Sequence, residues 1–463
     1  MRKMKMAMIM HINSISFLKK GVLSCSVISC FIMMGCVATI LHDGEVELNE
    51  ELGSRIQGNF FLYESENEVM ESTIDSLLAD GVTHHEAVQI ALLNNPTIKA
   101  MYAHLGVASA DVLKAVVPEN PSLHASVLQG NGSGGPKTVV SLEQNLLDFL
   151  LIPMKKQFAD IEFERVRSEL GHEILSQIAE VRKTYYRLQG EQEKLLLFEK
   201  IVDAVSAEAE MAKRQFEAGN VNSLDLSSHM AVSYETELLQ KESQNEVSKL
   251  KEQLRRLLGF PGNRENFEID KGLHPIPDAE PALEELSALA LTSRLDLKAA
   301  HKQLAALKQS LPLARWESFT SVDMGVEKEE ELLGPTVKIG VPLFNRGGIS
   351  TAQLKARIKE EEFRIEALEQ DIVTEIRIIY SELMNLREKI KFYEDIIIPS
   401  KNKVVEASQK QYNFMLIGVY SLLQVKKEEI QANREYIDLI AQYWIKKVSL
   451  EKAAGQFNLI SAL

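Results

Sequence analysis

The chain has 463 residues, a formal net charge of −14 at pH 7 and 25% charged residues. This composition excludes a disordered chain and a bundle of membrane helices, and the acidic balance argues against nucleic acid as a partner. No stretch after residue 36 reaches the roughly 18 apolar residues that a spanning helix needs. Any membrane span in the rest of the chain would therefore have to be β-structure.

Residues 1–35 are typical of an export signal peptide. Lys19 and Lys20 precede the apolar run 22–34, which is too short to span a membrane. The small residue Gly35 follows this run directly before Cys36, as in the cleavage site of a lipoprotein. We therefore expect acylation of Cys36 and a stable lipid anchor there. An uncleaved anchor and an ordinary signal peptide are the alternatives.

The rest of the chain reads as an internal duplication, with a first repeat at 81–260 and a second at 282–463. Residues 36–80 form an N-terminal extension, and a proline-containing linker at 261–281 separates the repeats. Residues of the first repeat that recur 195 positions later are Glu180, Arg182, Tyr185, Leu188, Glu193, Lys194, Glu199 and Ile201. Self-similarity of this kind indicates that both halves share one fold.

Each repeat predicts the same order of elements: a helix, two strands, a very long helix, a glycine-containing tip and a return helix. The predicted helices lie near 81–116, 154–217, 222–259, 282–314, 349–413 and 420–455. Apolar residues recur at every seventh position of the long helices, as at Ile174, Val181 and Leu188, which predicts left-handed coiled coils. A purely structural coiled coil would explain the helices but not the strand pairs.

The strands are predicted near 122–129, 138–144, 321–327 and 336–343. Val322, Met324 and Val326 alternate with polar positions, as in a membrane strand with one face toward lipid and one toward a lumen. Loops at 130–135 and 328–334 would connect the strands. Four strands cannot close a barrel in lipid, so they predict an oligomer if they enter the membrane. Two amphipathic hairpins on a soluble core are the alternative.

Three segments resemble the TolC-type outer-membrane efflux protein family, and the resemblance extends over nearly all of both repeats. Residues 91–96 are similar to the family's first-helix segment, 341–348 to its junction of strand and long helix, and 411–423 to its hairpin tip. The sequence departs from the family at Leu295, where a proline is frequent. It also departs at 145–149, which lacks the Pro-Leu-Phe of the second repeat.

The resemblance implies a mainly α protein with a small membrane β-barrel portion. It implies a homotrimer, with a twelve-stranded barrel in the outer membrane and an α-helical tunnel in the periplasm. The implied partners are a periplasmic adaptor, an inner-membrane pump that we expect to be proton-driven, and outer-membrane lipid. The chain would be the passive exit duct of a tripartite efflux system, and it resembles the subgroup that serves heavy-metal resistance. A duct for type I protein secretion and a non-transporting periplasmic coiled-coil scaffold are the alternatives.

The two hairpin tips are the first candidate functional site. Their residues are Gly219, Asn220, Val221 and Asn222 in the first repeat, and Gly418, Val419 and Tyr420 in the second. Glycine permits a helix to reverse, so a simple turn is one interpretation of both tips. The resemblance implies that these residues also contact the adaptor.

Gly219 and Gly418 are 199 positions apart, which matches the two tips to each other. Asp225 and Gln424 have the same separation, follow the two tips and are the candidates for the tunnel gate. Three copies of Asp225 would form an acidic ring that attracts cations. A carboxylate in this place is also explained by the dipole at the start of a helix.

No residues indicate an enzyme, a cofactor or a metal site. His84 and His85 are adjacent, so they face different sides of a helix, and no third ligand follows one turn later. Cys25 and Cys30 leave with the signal peptide. The sequence contains no Gly-rich phosphate loop, zinc-protease motif or elbow serine.

Overall fold

The computed structural model describes residues 44–56, 67–79, 81–129, 136–260, 267–316, 322–329, 332–340 and 347–457. The predicted signal peptide, Cys36 and the loop 130–135 lie outside these residues, as does most of the family-like junction at 341–348. Among the residues described, none of the helices combines the length and the hydropathy that crossing a membrane requires.

Helices make up most of the described chain. They are α1 (44–56), α2 (Asn67–Leu77), α3 (His84–Asn94), α4 (Pro96–Val116), α5 (Leu146–Glu217), α6 (Ser223–Leu257), α7 (Leu283–Ser293), α8 (Leu295–Trp316), α9 (Gly348–Phe392), α10 (Ile398–Asn413) and α11 (Val419–Ala454). The strands are β1 (Ser122–Leu128), β2 (Lys137–Asn145), β3 (Val322–Glu329) and β4 (Leu332–Ile339). The predicted fold class, mainly α with a small sheet, is confirmed.

The first helix of each repeat is a correction to the sequence prediction, because it is two helices in both cases. The breaks fall at Asn95, with φ −65° and ψ 119°, and at Arg294, with φ −67° and ψ 127°. Pro96 explains the first break, since a residue before proline avoids the helical region. Arg294 adopts the same backbone before Leu295, and its guanidinium is held by Asp296 at 2.7 Å.

The long helix of the second repeat is interrupted, whereas α5 runs without interruption. A π-helical turn, Tyr393–Ile397, joins α9 to α10 where the sequence predicts one helix over 349–413. Pro399 lies in the first turn of α10. A proline there cannot donate a backbone hydrogen bond and clashes with the carbonyl four residues earlier, which the wider π-helical turn accommodates.

The four strands form one antiparallel sheet in the order β1-β2-β3-β4, so β2 of the first repeat pairs with β3 of the second. The predicted positions of β4 and of the loop 328–334 are wrong. Lys328 and Glu329 belong to β3, and β4 begins at Leu332. Pro335 lies opposite Val326 within β4. β4 is an edge strand of this sheet, the position in which a strand tolerates proline.

The chain divides into two compact units, and each combines segments of both repeats. The first unit lies within 1–50, 102–168 and 299–363 and contains the sheet; the second lies within 51–101, 169–298 and 364–463 and contains both hairpin tips. The repeat boundaries drawn from the sequence stay a prediction.

Buried charges fix the linker inside the second unit. Glu280, at the end of the linker, contacts Lys447 and Tyr443 of α11, and Arg387 of α9 lies 3.7 Å from the same carboxylate. The side chains of Glu280 and Lys447 are almost fully buried. Removing one charge of such a cluster would leave its partner unpaired in the interior, so the cluster holds the linker against the second hairpin.

Candidate functional site

The first tip reverses the chain through a left-handed glycine. Gly219 has φ +74°, and its N–H donates to Phe216 O at 2.9 Å. The N–H of Asn220 donates to Gln215 O at 2.8 Å. These bonds satisfy carbonyls that the end of α5 leaves free. Asn222 then starts α6 by accepting a hydrogen bond from the backbone of Asp225 at 2.9 Å.

The second tip repeats this hydrogen-bond pattern with a methionine in the place of the glycine. Met415 has φ +57°, its N–H donates to Tyr412 O at 2.8 Å, and that of Leu416 donates to Gln411 O at 2.9 Å. Gly418 instead has φ −78° and precedes α11 as its N-cap. The structural equivalent of Gly219 is therefore Met415, and the predicted equivalence of Gly219 and Gly418 is wrong.

The same shift corrects the pairing of the two gate candidates. Gly418 corresponds to Asn222, so the residue that corresponds to Asp225 is Ser421, three positions before Gln424. Matching glycine to glycine gives the separation of 199 positions, but the backbone conformation after each helix end determines which residues are equivalent. Gln424 lies on α11 and donates to Glu428 at 3.2 Å. The gate role of Asp225 and Gln424 stays a prediction.

The exposed surface of the second tip is apolar. Phe414 is 77% exposed, Met415 93%, Leu416 73% and Tyr420 72%, whereas Val419 is buried with 6% exposed. In the first tip, Gly219, Asn220 and Asn222 are exposed and Val221 is half-buried. Sequence reasoning missed Phe414, Met415 and Leu416, although three consecutive apolar residues after a helix end are a recognisable signal.

Ion pairs hold the second hairpin beside the first, close to both tips. Lys426 of α11 pairs with Glu208 of α5, and the adjacent Lys427 pairs with Glu235 of α6 at 2.6 Å. His229 of α6 lies in this charged region, and partial burial lowers its pKa below the ordinary value although Glu208 acts in the opposite direction. Two adjacent lysines thus connect α11 to both helices of the first hairpin.

The sheet in the first unit has one apolar and one polar face, as its alternation predicts. One cross-strand row contains Leu123, Leu142, Val326 and Pro335. The neighbouring row, which faces the other side, contains Ser122, Glu143, Gly325 and Thr336. The large apolar side chains of the first row are exposed in the single chain.

Glu143 lies flat across the polar face. Its carboxylate contacts Lys338 of β4 and accepts from Ser141 at 3.1 Å. It passes over Gly325, where an added Cβ would come within 2.9 Å of Glu143 Cγ. The glycine in β3 thus makes room for a charged connection between β2 and β4.

The expectation that His84 and His85 face different sides of the helix is wrong, because their rings lie together in a ring cluster at the start of α3. The ring centroids of His84 and His85 are 4.1 Å apart, and Tyr186 lies 5.7 Å from His84. Burial lowers the pKa of His84 to about 3, and the nearby charge of Arg182 acts in the same direction. The described residues contain no group of three or more His, Cys, Asp or Glu side chains placed to hold a metal ion.

Comparison with known proteins connects this architecture to a family. Residues 87–260 match the family described as outer membrane efflux protein. The chain resembles the TolC-type outer-membrane efflux proteins. A comparison with curated protein sequences gave no match. The matched segment extends from α3 to the end of α6 and so contains the whole first hairpin with its tip.

Solved structures share the fold over most of the chain. CusC, which was studied for folding and transmembrane channel formation, is 16% identical with a TM-score of 0.69 over 86% of this chain and 96% of its own. The CmeC outer membrane channel of Campylobacter jejuni is 14% identical, with 0.68 over 88% and 91%. VceC, an outer membrane protein of Vibrio cholerae, is 15% identical, with 0.67 over 81% and 96%. The structural likeness establishes the fold, and at identities this low it establishes the fold alone.

Proposed function

We propose that this chain is the outer-membrane channel subunit of a tripartite efflux system, a passive exit duct for small toxic solutes such as metal ions or drugs. The observation that carries the proposal is the four-stranded sheet, with its exposed apolar face and its polar face. The family match and the shared fold support it. In this function the chain binds no cofactor and catalyses no reaction, because the pump supplies the energy.

The edges of the sheet support assembly into a homotrimer. Within one chain, β1 and β4 each have a single neighbour, so both edges expose unpaired backbone N–H and C=O groups. Each such group costs several kcal/mol in hydrocarbon. Three copies would join β4 of one subunit to β1 of the next and close twelve strands, with the apolar face toward lipid and the polar face toward the lumen.

The proposal assigns roles to the regions outside the sheet. The paired helical hairpins form the periplasmic tunnel, and their tips dock to a periplasmic adaptor that connects to an inner-membrane pump, which we expect to be proton-driven. Asp225 and Gln424 lie after the tips, where they gate the tunnel. Acylation of Cys36 anchors the N-terminal extension in the outer membrane.

Channel formation is tested with the full chain expressed in a Gram-negative host and purified from outer membranes. We expect a trimer that resists sodium dodecyl sulfate until heated, and stepwise ion conductance when this trimer is added to a planar lipid bilayer. A membrane extract from cells with the empty vector is the control. A monomer recovered from the soluble periplasm would contradict the proposal and support the scaffold alternative.

The substrate class is tested in the native host. Deleting the gene should increase sensitivity to at least one metal ion or drug in a panel, and the plasmid-borne gene should restore resistance. Unchanged sensitivity to the whole panel would argue against efflux, and loss of a secreted protein from the medium would support the secretion alternative.

A further inference from the structure

The two tips have the same backbone and opposite surfaces. Their matching hydrogen bonds align Ala218, Gly219 and Asn220 with Phe414, Met415 and Leu416. The first tip therefore displays small and polar groups where the second displays three large apolar side chains. This pair is an internal comparison, because one reversal of the chain occurs twice in one molecule with different residues.

The turn of the second tip does not require a methionine at position 415. A residue with a Cβ avoids the left-handed region, which glycine adopts freely, and the first tip uses glycine there. At 93% exposed, the Met415 side chain has almost no packing within the chain to compensate for the unfavourable backbone. Strain that no internal contact offsets points to a role outside the chain.

Exposed apolar groups of this size indicate a contact surface. Phe414 and Leu416 flank Met415, and all three are at least 73% exposed. A membrane anchor would be expected to place an apolar stripe along a helix. These side chains instead project from a tight turn at the end of a coiled coil, a shape that suits a cleft in a protein.

The charge around the second tip complements an acidic partner. Residues 398–427 contain five lysines and one glutamate, whereas the matching residues 202–231 contain five acidic residues and two basic ones. Three of the five lysines pair with carboxylates outside 398–427. Lys410 pairs only with Glu406 on the surface, and Lys403 makes no ion pair in the described structure. Both lysines belong to α10, the helix that ends directly before the apolar side chains.

We infer that Phe414, Met415 and Leu416 of the second tip carry most of the docking affinity, by inserting into an apolar cleft with an acidic rim on the periplasmic adaptor. The first tip helps to position the adaptor and contributes little of the docking affinity. The inference rests on the proposed function, because the partner is the adaptor that the proposed function requires.

The test grafts the first tip's residues onto the second, with Phe414→Ala, Met415→Gly and Leu416→Asn together in the full chain. Since Gly adopts a left-handed backbone without strain, the graft should fold at least as well as the wild type. A matched control changes the first tip, with Ala218→Ser and Asn220→Ala. Both proteins should form trimers with unchanged conductance, which separates a failure of docking from a failure of the proposed channel.

Docking is measured in living cells of the native host with a photo-reactive phenylalanine analogue in place of Tyr420, which is exposed one turn after the graft. Mass spectrometry identifies the cross-linked protein. We expect a membrane-anchored periplasmic protein with a helical hairpin, recovered at least ten-fold less with the graft and within two-fold of wild type with the control. Equal recovery from the graft overturns the inference. Adducts only with lipid, only with a second copy of this chain, or none at all, overturn it as well.

Discussion

The two repeats end in the same backbone turn, but different side chains hold it. α6 is followed by Gly259 with φ +76°, and α11 by Gly455 with φ +73°. Each glycine packs against the break between the two short helices of its own repeat, at Asn94 and at Ser293. A side chain at either glycine would be strained by the positive φ and would press on that backbone.

In the first repeat, neighbouring amides close the turn. Asn94 Nδ2 donates to Leu258 O at 3.1 Å and to Gly259 O at 2.8 Å. Asn95 Nδ2 donates to Leu257 O at 2.7 Å. The free carbonyls at the end of α6 are thus satisfied by side chains from the same repeat.

In the second repeat, a residue from outside closes the turn. Ser293 has no amide to offer, and Arg55 of α1 donates from Nη1 to Gly455 O at 2.9 Å and also to Ser293 O. Arg294 adds a longer bond to Ala453 O at 3.4 Å. The N-terminal extension is therefore part of the second repeat's structure, because its Arg55 supplies the donor to Gly455 O that Asn94 supplies at the equivalent turn of the first repeat.

The largest effect should come from adding a methyl group at the tighter of the two glycines. In Gly259→Ala, the new Cβ would clash with Asn94 O and approach Asn95 Cα within 2.9 Å, so we expect a loss of about 3 kcal/mol or more. In Gly455→Ala, the nearest atom is Ser293 C at 3.1 Å, and we expect about 1–2 kcal/mol. Urea unfolding of the purified proteins, followed by circular dichroism, measures both. Equal losses would show that the two junctions are not packed differently.

The second-largest effect is expected for a variant of Arg55, which tests whether α1 completes the structure of the second repeat. Arg55→Ala removes bonds to two carbonyls, and we expect a loss of about 2 kcal/mol. Amide hydrogen exchange should rise at 453–457 and stay unchanged at 257–260, because only the former segment depends on Arg55. Arg377→Ala, which removes an exposed arginine of α9, is the control for the loss of an arginine. Equal exchange at the two segments would contradict the division of roles.

The sequence predicts the order of elements because apolar periodicity is a local property. The alternation of β3 and the seven-residue spacing of α5 are both visible without tertiary contacts. The contacts of Arg55 are not predictable in this way, since 238 and 400 residues separate it from its two carbonyl partners. The break at Arg294 is also hidden, because no proline marks it.

The tip shows a second limit of sequence reasoning. A glycine is the natural candidate for a left-handed residue, so the sequence predicts that Gly418 is equivalent to Gly219. The backbone instead places Met415 in that conformation, a choice that local propensity disfavours and that no packing within the chain rewards. Sites where local preference is violated are expected to be functional. The wrong prediction at Met415 therefore concerns the same residue that we propose for docking.

A smaller, pH-dependent difference separates α3 from α7. His84 begins α3, and its counterpart at the start of α7 is Leu283. Burial lowers the pKa of His84 to about 3, so between that value and its ordinary pKa only the unfolded chain binds the proton. Its contribution to stability is complete above about pH 6.5 and is lost as the pH falls toward 3, at up to about 1.4 kcal/mol per pH unit.

The variant His84→Leu should therefore weaken the loss of stability between pH 7.5 and pH 5.5. The exposed His301→Leu on α8 is the matched control for replacing a histidine by leucine. Urea midpoints at both pH values give the comparison. An unchanged slope in His84→Leu would mean that this imidazole gains its proton in the folded protein as readily as in the unfolded chain.

The smallest expected change compares the tips directly. Met415→Gly removes the Cβ from a left-handed residue, and we expect a gain of about 1 kcal/mol, because the relief of strain exceeds the loss of a solvent-exposed side chain. The reverse change, Gly219→Ala, meets no atom within 4 Å, so its loss of about 1 kcal/mol reports the backbone preference alone. Thermal unfolding of the purified proteins measures both. If Met415→Gly raises stability and Gly219→Ala lowers it, the methionine makes the second tip less stable than the first. A methionine that lowers the stability of the chain is the residue expected at a contact with another protein. A loss of stability in Met415→Gly would instead assign the methionine a structural role.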